Sequence, residues 1–365
     1  MVKDPVCGME VDEGKAQHAT RYRGESYFFC SEDCKHKFES NPKKYLSPPA
    51  QGTDTRRKIV VVGAGRVGTT FSFALMMSGL ASTIVLLDRD YEKAEGHVMD
   101  LNHGLSFAQP ARIFAGEYED CNGAEIVVIT AGAAQKEGES RLDLVRKNTE
   151  IFKEVIPKVA EQDPRIILVV SNPVDILTHV ALKLSGYSMN RVIGSGTTLD
   201  TARFRFLLSR HCQVDPRNVH AYIIGEHGDS EVPVWSQVNI AGMPIKEYCP
   251  ICDRDCSVEE REQIFEQVKN AAYEIISRKG YTDFAIGLAL VRIVGSIVRD
   301  ENSVLTVSSL IDDYYGITDV CLSIPTLLNV NGISKHIPID LDETERDRLR
   351  NSADTIKGII GELDI

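Results

Sequence analysis

The chain has 365 residues, enough for two or three domains, and a formal net charge of −12 at pH 7, which argues against a nucleic-acid-binding protein. Hydrophobic residues make up 43% of it, but no apolar run reaches the roughly 18 residues of a membrane-spanning helix, and the first residues lack the apolar segment of a secretory signal. Its nine cysteines favour free or metal-bound thiols in a reducing cytoplasm over a secreted disulfide framework.

A change in composition divides the chain near residue 48. The first 48 residues hold as many acidic as basic side chains, so the whole of the negative charge lies after them. Residues 48–56 are rich in Pro, Gly, Gln and Thr, which is typical of a linker. The sequence therefore predicts a small module over residues 1–47 and a much larger unit after residue 56.

The module carries three cysteines in a pattern that suits a metal. A hairpin and then a helix are predicted, and on that helix Cys30 and Cys34 would share one face, while Cys7 stands in a Cys-Gly turn. A unit of this size buries too little apolar surface to be stable without a cross-link such as a bound metal. Three thiolates suit Zn²⁺ or another thiophilic ion such as copper. His18, His36 or a water are candidates for a fourth ligand. The alternative is three reduced cysteines in a small core.

Residues 3–46 resemble the YHS family of small metal-binding modules. The resemblance rests on Asp-Pro-Val-Cys-Gly-Met at 4–9, Tyr-Phe-Phe-Cys-Ser at 27–31, and the Phe, Pro and Tyr spacing that follows Cys34. Members of this family are thought to bind heavy metals. The resemblance therefore implies that the module binds a metal, with zinc or copper as the candidates.

A dinucleotide fingerprint opens the large unit. An apolar strand is predicted at 58–62, Gly-Ala-Gly-Arg-Val-Gly follows at 63–68, and an apolar helix comes next. Its glycines allow the tight turn, the approach of a pyrophosphate to the helix N-terminus, and close packing of helix on strand. A second strand at 83–87 ends in Asp88, whose carboxylate would accept from ribose hydroxyls and repel a 2′-phosphate, so NAD is favoured over NADP. The candidate cofactor residues here are Gly63, Gly65, Val67, Gly68 and Asp88.

Two further strand ends carry candidate ligand-binding side chains. A strand at 125–130 leads into a charged, glycine-bearing segment that ends at Arg141, which favours a lid over the carboxyl ends of the strands. Arg141 could then reach a substrate carbonyl; the alternative is an ordinary solvated loop. A strand at 165–170 ends in Ser-Asn-Pro-Val-Asp, where Asn172 offers a ligand both a donor and an acceptor.

Three residues further along combine into a candidate proton-transfer site. Asp200 and Arg203 would share a helix face, either as a surface ion pair or as a carboxylate beside a bidentate cation. His227, within Gly-Glu-His-Gly-Asp-Ser at 225–230, can exchange a proton near neutral pH. Asp200 as its partner would orient the imidazole and raise its pKa.

Residues 57–365 resemble the L-lactate dehydrogenases of the lactate/malate dehydrogenase superfamily. The segments that carry the resemblance are GAGRVG at 63–68, GESRLDL at 138–144, SNPVD at 171–175, GTTLDTAR at 196–203 and GEHGDS at 225–230. It implies an α/β fold, with a Rossmann-type doubly wound parallel sheet over 57–195 as the NAD-binding domain and an α+β catalytic domain over 196–365. Long helices are predicted in the catalytic domain at 264–276 and 343–360.

The resemblance implies a role for each candidate. His227 would donate a proton to the ketone oxygen while Asp200 holds its imidazole, and Arg141 on the closing lid would polarise the carbonyl. Arg203 would bind the substrate carboxylate, and Asn172 would help to place the carbonyl. The other residues that it assigns are Thr282 in the substrate pocket and, at the cofactor, Thr130, Ala131, Gly132, Asn148, Val170, Asn172 and Ile286.

The choice of substrate depends on Gln135. Malate dehydrogenases carry an arginine at the matching position, which pairs with the second carboxylate of oxaloacetate, and a neutral glutamine lacks that charge. The resemblance therefore implies pyruvate and L-lactate as the substrate pair. The alternatives are a malate or other 2-hydroxyacid dehydrogenase and, in another class, a metal-sensing or metal-carrying protein on a dehydrogenase scaffold.

Two basic residues imply regulation. Many bacterial lactate dehydrogenases are homotetramers that fructose 1,6-bisphosphate activates by binding an arginine and a histidine between subunits. Arg205 and His220 occupy the matching positions, and two such groups suit a phosphate. The alternative is two ordinary surface residues.

One cysteine-rich segment departs from the family pattern. Cys249, Cys252 and Cys256 have a spacing that would suit a metal knuckle, but a fourth ligand is not apparent, and the segment matches a loop that varies among these enzymes. Simple loop thiols are the favoured interpretation, and the role of the three residues stays open.

Overall fold

The computed structural model describes residues 1–22, 25–45, 57–133, 141–252 and 256–363. The predicted linker at 48–56 and Gln135 lie outside the described residues, and so do the side chains of Arg141 and Cys252. Among the helices of these ranges, none has both the length and the apolar character needed to cross a membrane.

The N-terminal module is a hairpin followed by a helix, as its sequence predicts. Its elements are β1 (Val2–Lys3), β2 (Glu10–Val11), β3 (His18–Tyr22), β4 (Glu25–Phe29), α1 (Glu32–Ser40) and α2 (Pro42–Tyr45). The hydroxyl of Ser31 caps α1 by accepting from the backbone N–H of Cys34 at 3.3 Å. Phe29 and Phe38 are fully buried and pack against each other, with ring centroids 5.2 Å apart. This is a very small core, which agrees with the expectation that the module needs a further staple.

Six parallel strands form the first part of the main sheet. They are β5 (Lys58–Val62), β6 (Thr83–Leu87), β7 (Arg112–Ala115), β8 (Ile126–Ile129), β9 (Ile166–Val169) and β10 (Val192–Gly194). Their order across the sheet is β7-β6-β5-β8-β9-β10, and all neighbouring pairs are parallel. After a polar first residue in β5, β6 and β7, the strand residues are apolar, as expected where helices cover both faces of the sheet. The order reverses between β5 and β8, where such sheets bind their ligands.

Helices pack on both faces of these strands. They are α3 (Arg66–Ser78), α4 (Tyr91–Gly104), α5 (Arg141–Ala160) and α6 (Val174–Ser185). Two apolar clusters result, one on each side of the sheet. This confirms the doubly wound α/β architecture that the fingerprint predicts.

The second half of the chain adds three strands to the same sheet. Its elements are α7 (Thr198–Cys212), β11 (Val219–His220), β12 (Ile223–Ile224), β13 (Val232–Pro233), β14 (Asn239–Ile240), β15 (Met243–Pro244), α8 (Ile245–Cys252), α9 (Val258–Lys279), α10 (Phe284–Val298), β16 (Ser303–Ile311), β17 (Val320–Asn329), β18 (Gly332–His336) and α11 (Glu343–Ile360). β16 pairs antiparallel with β10, and β17 and β18 follow as antiparallel neighbours, which makes a sheet of nine strands. The sequence predicts the α+β character of this half but not the shared sheet.

A crowded glycine turn leads from this sheet into α7. Gly196 has φ +53°, and a Cβ built on it would lie 2.5 Å from the backbone nitrogen of Ser308 and 2.5 Å from the hydroxyl of Ser323. Only glycine satisfies both the backbone angle and the space. Because α7 begins two residues later, this contact with β16 and β17 fixes where α7 starts.

We predict that Gly196→Ala lowers the free energy of unfolding by about 3 kcal/mol, because the new methyl group meets the backbone of β16 in a strained conformation. The matched control is Gly186→Ala, which has φ +66° but nothing within 4 Å of its added Cβ, and should cost about 1 kcal/mol. Urea unfolding measures both. Equal losses in the two variants would contradict the crowding argument.

Candidate active site

A cleft of about 610 Å³ lies at the carboxyl ends of β5, β6 and β8. Six predicted cofactor residues line it: Gly63, Gly65, Asp88, Thr130, Ala131 and Gly132. They come from three strand ends that meet only in the folded sheet, at the place where its strand order reverses. The cleft is therefore where the fingerprint predicts a dinucleotide.

The glycine loop brings backbone to the edge of this cleft. Gly63 has φ +114°, and a Cβ on it would lie 2.6 Å from the backbone nitrogen of Ala131. A Cβ on Gly68 would lie 2.0 Å from the carbonyl oxygen of Gly63. α3 starts directly after Gly65 without a side-chain cap, so its first N–H groups are available to an anion. These are the three functions that the spacing of the glycines predicts.

The Asp88 carboxylate is fixed at the end of β6. Its Oδ2 accepts from the N–H of Ala64 at 2.6 Å, and its Oδ1 accepts from the N–H of Asp90 at 3.0 Å. The carboxylate is therefore oriented before any ligand binds. Its negative charge suits two ribose hydroxyls and disfavours a phosphate, so the residues present fit NAD.

The other predicted cofactor residues differ in what they offer. Asn148 is buried, and its amide holds the backbone: it accepts from the N–H of Ala133 at 2.7 Å and donates to the carbonyl of Asn172 at 2.7 Å. Asn172 itself is exposed at the end of β9. Val170 is buried, and Val67 and Ile286 are partly buried against the same apolar cluster. Asn148 thus joins two strand ends of the cleft.

The structure brings together His227, Asp200 and Arg203, which are distributed over 28 positions of the chain. The Nδ1 atom of His227 lies 2.5 Å from Oδ2 of Asp200. Arg203 donates from Nη1 to the other carboxylate oxygen, Oδ1, at 2.8 Å. The Asp200 side chain is 4% exposed, whereas those of Arg203 and His227 are 14% and 25% exposed. One buried carboxylate thus orients two groups that still reach the solvent.

A second carboxylate holds the His227 backbone. Oδ2 of Asp175 accepts from the backbone N–H of His227 at 2.7 Å, and Asp175 is 1% exposed at the start of α6. Asp175 ends the Ser-Asn-Pro-Val-Asp segment at 171–175, and the sequence predicted a role there for Asn172 alone. Its place in the segment that follows β9 was the available signal, because such segments meet the other strand ends in the fold.

Burial and neighbouring charges shift the pKa values of three groups around the His227 imidazole. Burial opposes protonation of His227, but the Asp200 charge and hydrogen bond outweigh it and raise its pKa to about 9. Burial likewise opposes ionisation of Asp200, yet His227 and Arg203 lower its pKa. Glu231, also buried, has its pKa raised to about 9 by burial and by the charge of Asp200. At neutral pH the site therefore holds a charged Asp–His–Arg group beside a neutral Glu231, which directly follows the Gly-Glu-His-Gly-Asp-Ser segment and was not predicted from the sequence.

The remaining substrate candidates are only partly described. Thr282 is half-buried in the link between α9 and α10. Arg141 is the first residue of α5. Gln135 lies outside the described residues, so its role in substrate choice stays a prediction.

The two predicted activator residues lie at adjoining positions. Arg205 on α7 donates from Nε to the carbonyl of Ala221 at 3.0 Å, and His220 is the exposed residue just before Ala221. Arg205 also lines a groove of about 400 Å³ with Tyr222 and Arg292. The Arg205 side chain is thus held against the backbone of the residue that follows His220.

The three module cysteines converge with a carboxylate. The ligand atoms of Asp4, Cys7, Cys30 and Cys34 all lie within 4.8 Å of one another. The Sγ of Cys30 is 3.4 Å from that of Cys7 and 3.8 Å from that of Cys34. Three thiols and one carboxylate make a four-ligand set that fits a tetrahedral thiophilic ion. Asp4 stands three residues before Cys7 in the Asp-Pro-Val-Cys segment, and the sequence predicted no such place for it.

The two histidines considered as a fourth ligand are engaged elsewhere. His18 lies 2.6 Å from Glu32, and His36 lies 3.6 Å from the other oxygen of the same carboxylate. Both contacts are on the surface of the module, and neither histidine belongs to the thiol cluster. In the described part of the module, Asp4 rather than either histidine lies with the three thiols, and its carboxylate accepts from the backbone N–H groups of Val6 and Cys30, each at 2.8 Å.

The later cysteine-rich segment is different. Cys249 is buried in an apolar cluster of the second half, and Cys256 is partly buried against the same cluster. The Cys252 side chain lies outside the described residues. Cys249 is therefore a core thiol of helix α8 and not the loop thiol that the sequence predicted, because α8 packs its apolar face on this cluster.

Comparison with known proteins identifies the family. Residues 57–194 match the lactate/malate dehydrogenase NAD-binding domain, residues 197–363 match its alpha/beta C-terminal domain, and residues 2–48 match the YHS domain. The chain is 57% identical over 310 residues to L-lactate dehydrogenase of Acetivibrio thermocellus, covering 85% of this chain and 98% of that enzyme. It is 52% identical over 301 residues to L-lactate dehydrogenase 1 of Clostridium acetobutylicum, covering 82% of this chain and 96% of that enzyme.

Solved structures agree with these relatives. A lactate dehydrogenase from a Medee basin deep-sea metagenome superposes with a TM-score of 0.82 at 46% identity, covering 84% of this chain and 98% of that one. The minor L-lactate dehydrogenase of Enterococcus mundtii, in a ligand-bound form, superposes with a TM-score of 0.82 at 40% identity, covering 86% of this chain and 100% of that one. The chain therefore belongs to the lactate/malate dehydrogenase family, has the NAD-dependent L-lactate dehydrogenase activity, and carries a YHS domain ahead of the enzyme.

Proposed function

We propose that His227 is the proton donor in the reduction of pyruvate and the proton acceptor in the oxidation of L-lactate. The observation that carries this role is the 2.5 Å contact between His227 and the buried Asp200. Asp200 can only accept, so it fixes the proton on Nδ1 and leaves Nε2 to exchange a proton with substrate. When bound, the nicotinamide cofactor supplies the hydride chemistry.

Arg203 is proposed to bind the substrate carboxylate. Its Nη1 is held by Asp200, yet the planar guanidinium has further N–H donors, and the side chain is 14% exposed. Because one carboxylate holds both Arg203 and His227, the anchor and the acid keep a fixed separation. This rigidity fits a small 2-keto acid whose carboxylate and carbonyl are on adjacent carbons.

The remaining substrate roles rest on the resemblance. Arg141 would polarise the carbonyl from the lid, Gln135 would favour pyruvate over oxaloacetate, Thr282 would line the pocket and Asn172 would place the carbonyl. The alternative of a malate enzyme is disfavoured by the neutral glutamine. The intact Asp–His–Arg group disfavours a metal-carrying protein that uses only the scaffold.

The same three units predicted from the sequence are proposed as domains: residues 1–47, 57–195 and 196–365. The NAD-binding residues belong to the second, and Asp200, Arg203 and His227 to the third. Because β16 to β18 of the third unit extend the sheet of the second, the two form one continuous structural core. Catalysis is proposed to take place where they join.

Regulation by fructose 1,6-bisphosphate in a homotetramer is also proposed, through Arg205 and His220. Their adjoining positions supply two donors for a phosphate, and burial lowers the pKa of Arg205 without neutralising it. Large apolar side chains are exposed on several helices of the described chain, which supports subunit association. Among them are Phe73 and Met77 on α3, Phe206 on α7, and Leu288 on α10.

The N-terminal module is proposed to bind one Zn²⁺ or copper ion through Cys7, Cys30 and Cys34, with Asp4 as the fourth ligand. The convergence of the four ligand atoms within 4.8 Å supports it. A bound ion would also supply the staple that so small a core needs.

We predict that pyruvate reduction falls as the pH rises through about 9, while lactate oxidation rises, because the first needs the imidazolium and the second the neutral ring. Asp200→Asn removes the charge that raises this pKa, so the midpoint should move down by about one pH unit or more and kcat/KM at pH 7 should fall about 100-fold or more. Profiles of kcat/KM against pH measure both effects.

The control for this pH prediction is Asp163→Asn, a 76% exposed carboxylate that pairs with Arg191. Its profile should match that of the unchanged protein. A wild-type midpoint near 6.5, or one that Asp200→Asn leaves in place, would contradict the proposed couple.

We predict that fructose 1,6-bisphosphate lowers the KM for pyruvate about tenfold, a usual size for allosteric coupling, and that His220→Gln abolishes this response. Arg217→Gln is the control and should keep the response; this arginine is 90% exposed and lies two residues before the start of β11. Steady-state kinetics and sedimentation report the effect. The proposal fails if fructose 1,6-bisphosphate changes neither the pyruvate saturation curve nor the assembly of the subunits.

We predict that the full chain, purified under reducing conditions, retains about one Zn²⁺ or Cu⁺ per chain through dialysis, and that Cys30→Ser loses it. Cys256→Ser removes a thiol outside the cluster and should leave the metal content unchanged. Metal analysis by mass spectrometry decides. A wild-type protein without either metal would rule out the site.

A further inference from the structure

A cation–π contact joins the glycine loop to the second half of the chain. Arg66 is the first residue of α3, directly after Gly65 of the fingerprint. Its guanidinium carbon lies 3.5 Å from the centroid of the Tyr281 ring. Tyr281 belongs to the link between α9 and α10 and directly precedes Thr282.

The link that carries Tyr281 is fixed against α3 by a second contact. Asp283, 8% exposed, accepts from the hydroxyl of Thr70 at 3.2 Å and from Lys279 at 2.6 Å. Thr70 is one helical turn after Arg66, so both contacts are made by the same face of α3. The Lys279 ammonium also lies over the Tyr281 ring, at 4.6 Å. The ring is therefore held in place independently of Arg66.

The guanidinium of Arg66 has N–H donors available to bind an anion. The residue is exposed, and within the described ranges its guanidinium forms no ion pair with a carboxylate. A guanidinium that stacks flat on a ring uses its face, while its N–H donors lie in its plane and remain free for bidentate binding. It stands at the positive end of α3, where the fingerprint places a pyrophosphate.

We propose that Arg66 is a further cofactor-binding residue, which donates in-plane N–H groups to the dinucleotide pyrophosphate, and that Tyr281 is the positioning residue that holds it there. The two residues form a clasp between the cofactor cleft and the link that carries Thr282. Cofactor affinity then depends on a residue of the catalytic half. The proposal rests on the NAD-binding cleft and adds two residues to it.

The test measures NADH binding to the full chain by nicotinamide fluorescence, without turnover. Arg66→Gln should raise the Kd for NADH about tenfold or more, as expected for a lost hydrogen bond to a charged group. Arg66→Lys keeps the positive charge but not the planar guanidinium, so its Kd should lie between those of the unchanged protein and Arg66→Gln. Tyr281→Phe keeps the ring face and should bind within about twofold of the unchanged protein, whereas Tyr281→Leu should weaken binding about threefold or more.

Coupling between the two residues separates positioning from a merely structural role. In the Arg66→Gln background, Tyr281→Leu should add almost no further loss, because the ring then has no guanidinium to hold. Adenosine, which lacks phosphates, should bind Arg66→Gln and the unchanged protein equally, whereas ADP-ribose should show the full loss. Arg278→Gln is the matched control: this arginine, 79% exposed near the end of α9, pairs with Glu274, and its loss should not change the Kd.

Three outcomes would overturn the proposal. The first is an Arg66→Gln protein that binds NADH within twofold of the unchanged one. The second is a Tyr281→Leu effect of the same size with and without Arg66. The third is an equal loss for adenosine and ADP-ribose, which would place the effect away from the pyrophosphate. If Tyr281→Leu fails to fold, the Arg66 variants and the adenosine comparison still decide, since Arg66 is exposed.

Discussion

The buried carboxylate of Asp200 is the interaction on which the site depends. One oxygen contacts His227 and the other contacts Arg203, so a single charge sets the proton affinity of the acid and the position of the anchor. An isolated carboxylate at 4% exposure would be costly, and the two cations offset that cost. Stability and chemistry therefore place the same demand on this group, because the cations that offset the cost of burying Asp200 are also the acid and the anchor of the site.

The nine-stranded sheet makes this arrangement possible. β10 is the last parallel strand and pairs with β16 of the second half, and the chain then turns through Gly196 into the helix that carries Asp200. Asp175, at the start of α6, holds the backbone of His227 from the NAD-binding side. Hydride carrier and proton donor thus belong to different halves of the chain but to one continuous core.

The N-terminal module has too small an apolar core to be stabilised in the same way as the dehydrogenase. The dehydrogenase has large apolar clusters on both faces of its sheet, whereas the module core consists mainly of Phe29, Cys34 and Phe38. Coordination through converging thiols can replace the missing apolar burial in so small a unit. The module needs nothing from the enzyme to form its cluster, because all four ligand atoms come from residues 4–34.

The sequence by itself determined the elements and most of the chemistry. The strands at 58–62 and 83–87 and the helix at 343–360 form where their patterns predict, because apolar runs and caps act over a few residues. Family segments supplied His227, Asp200 and Arg203. Only the tertiary structure decided that β16 continues the first sheet, that Asp175 and Glu231 border the site, that Asp4 joins the thiols, and that Arg66 meets Tyr281. Each of these depends on contacts between residues far apart in the chain. The distances between such residues are set by how the helices and strands pack, and their separation along the sequence does not give them.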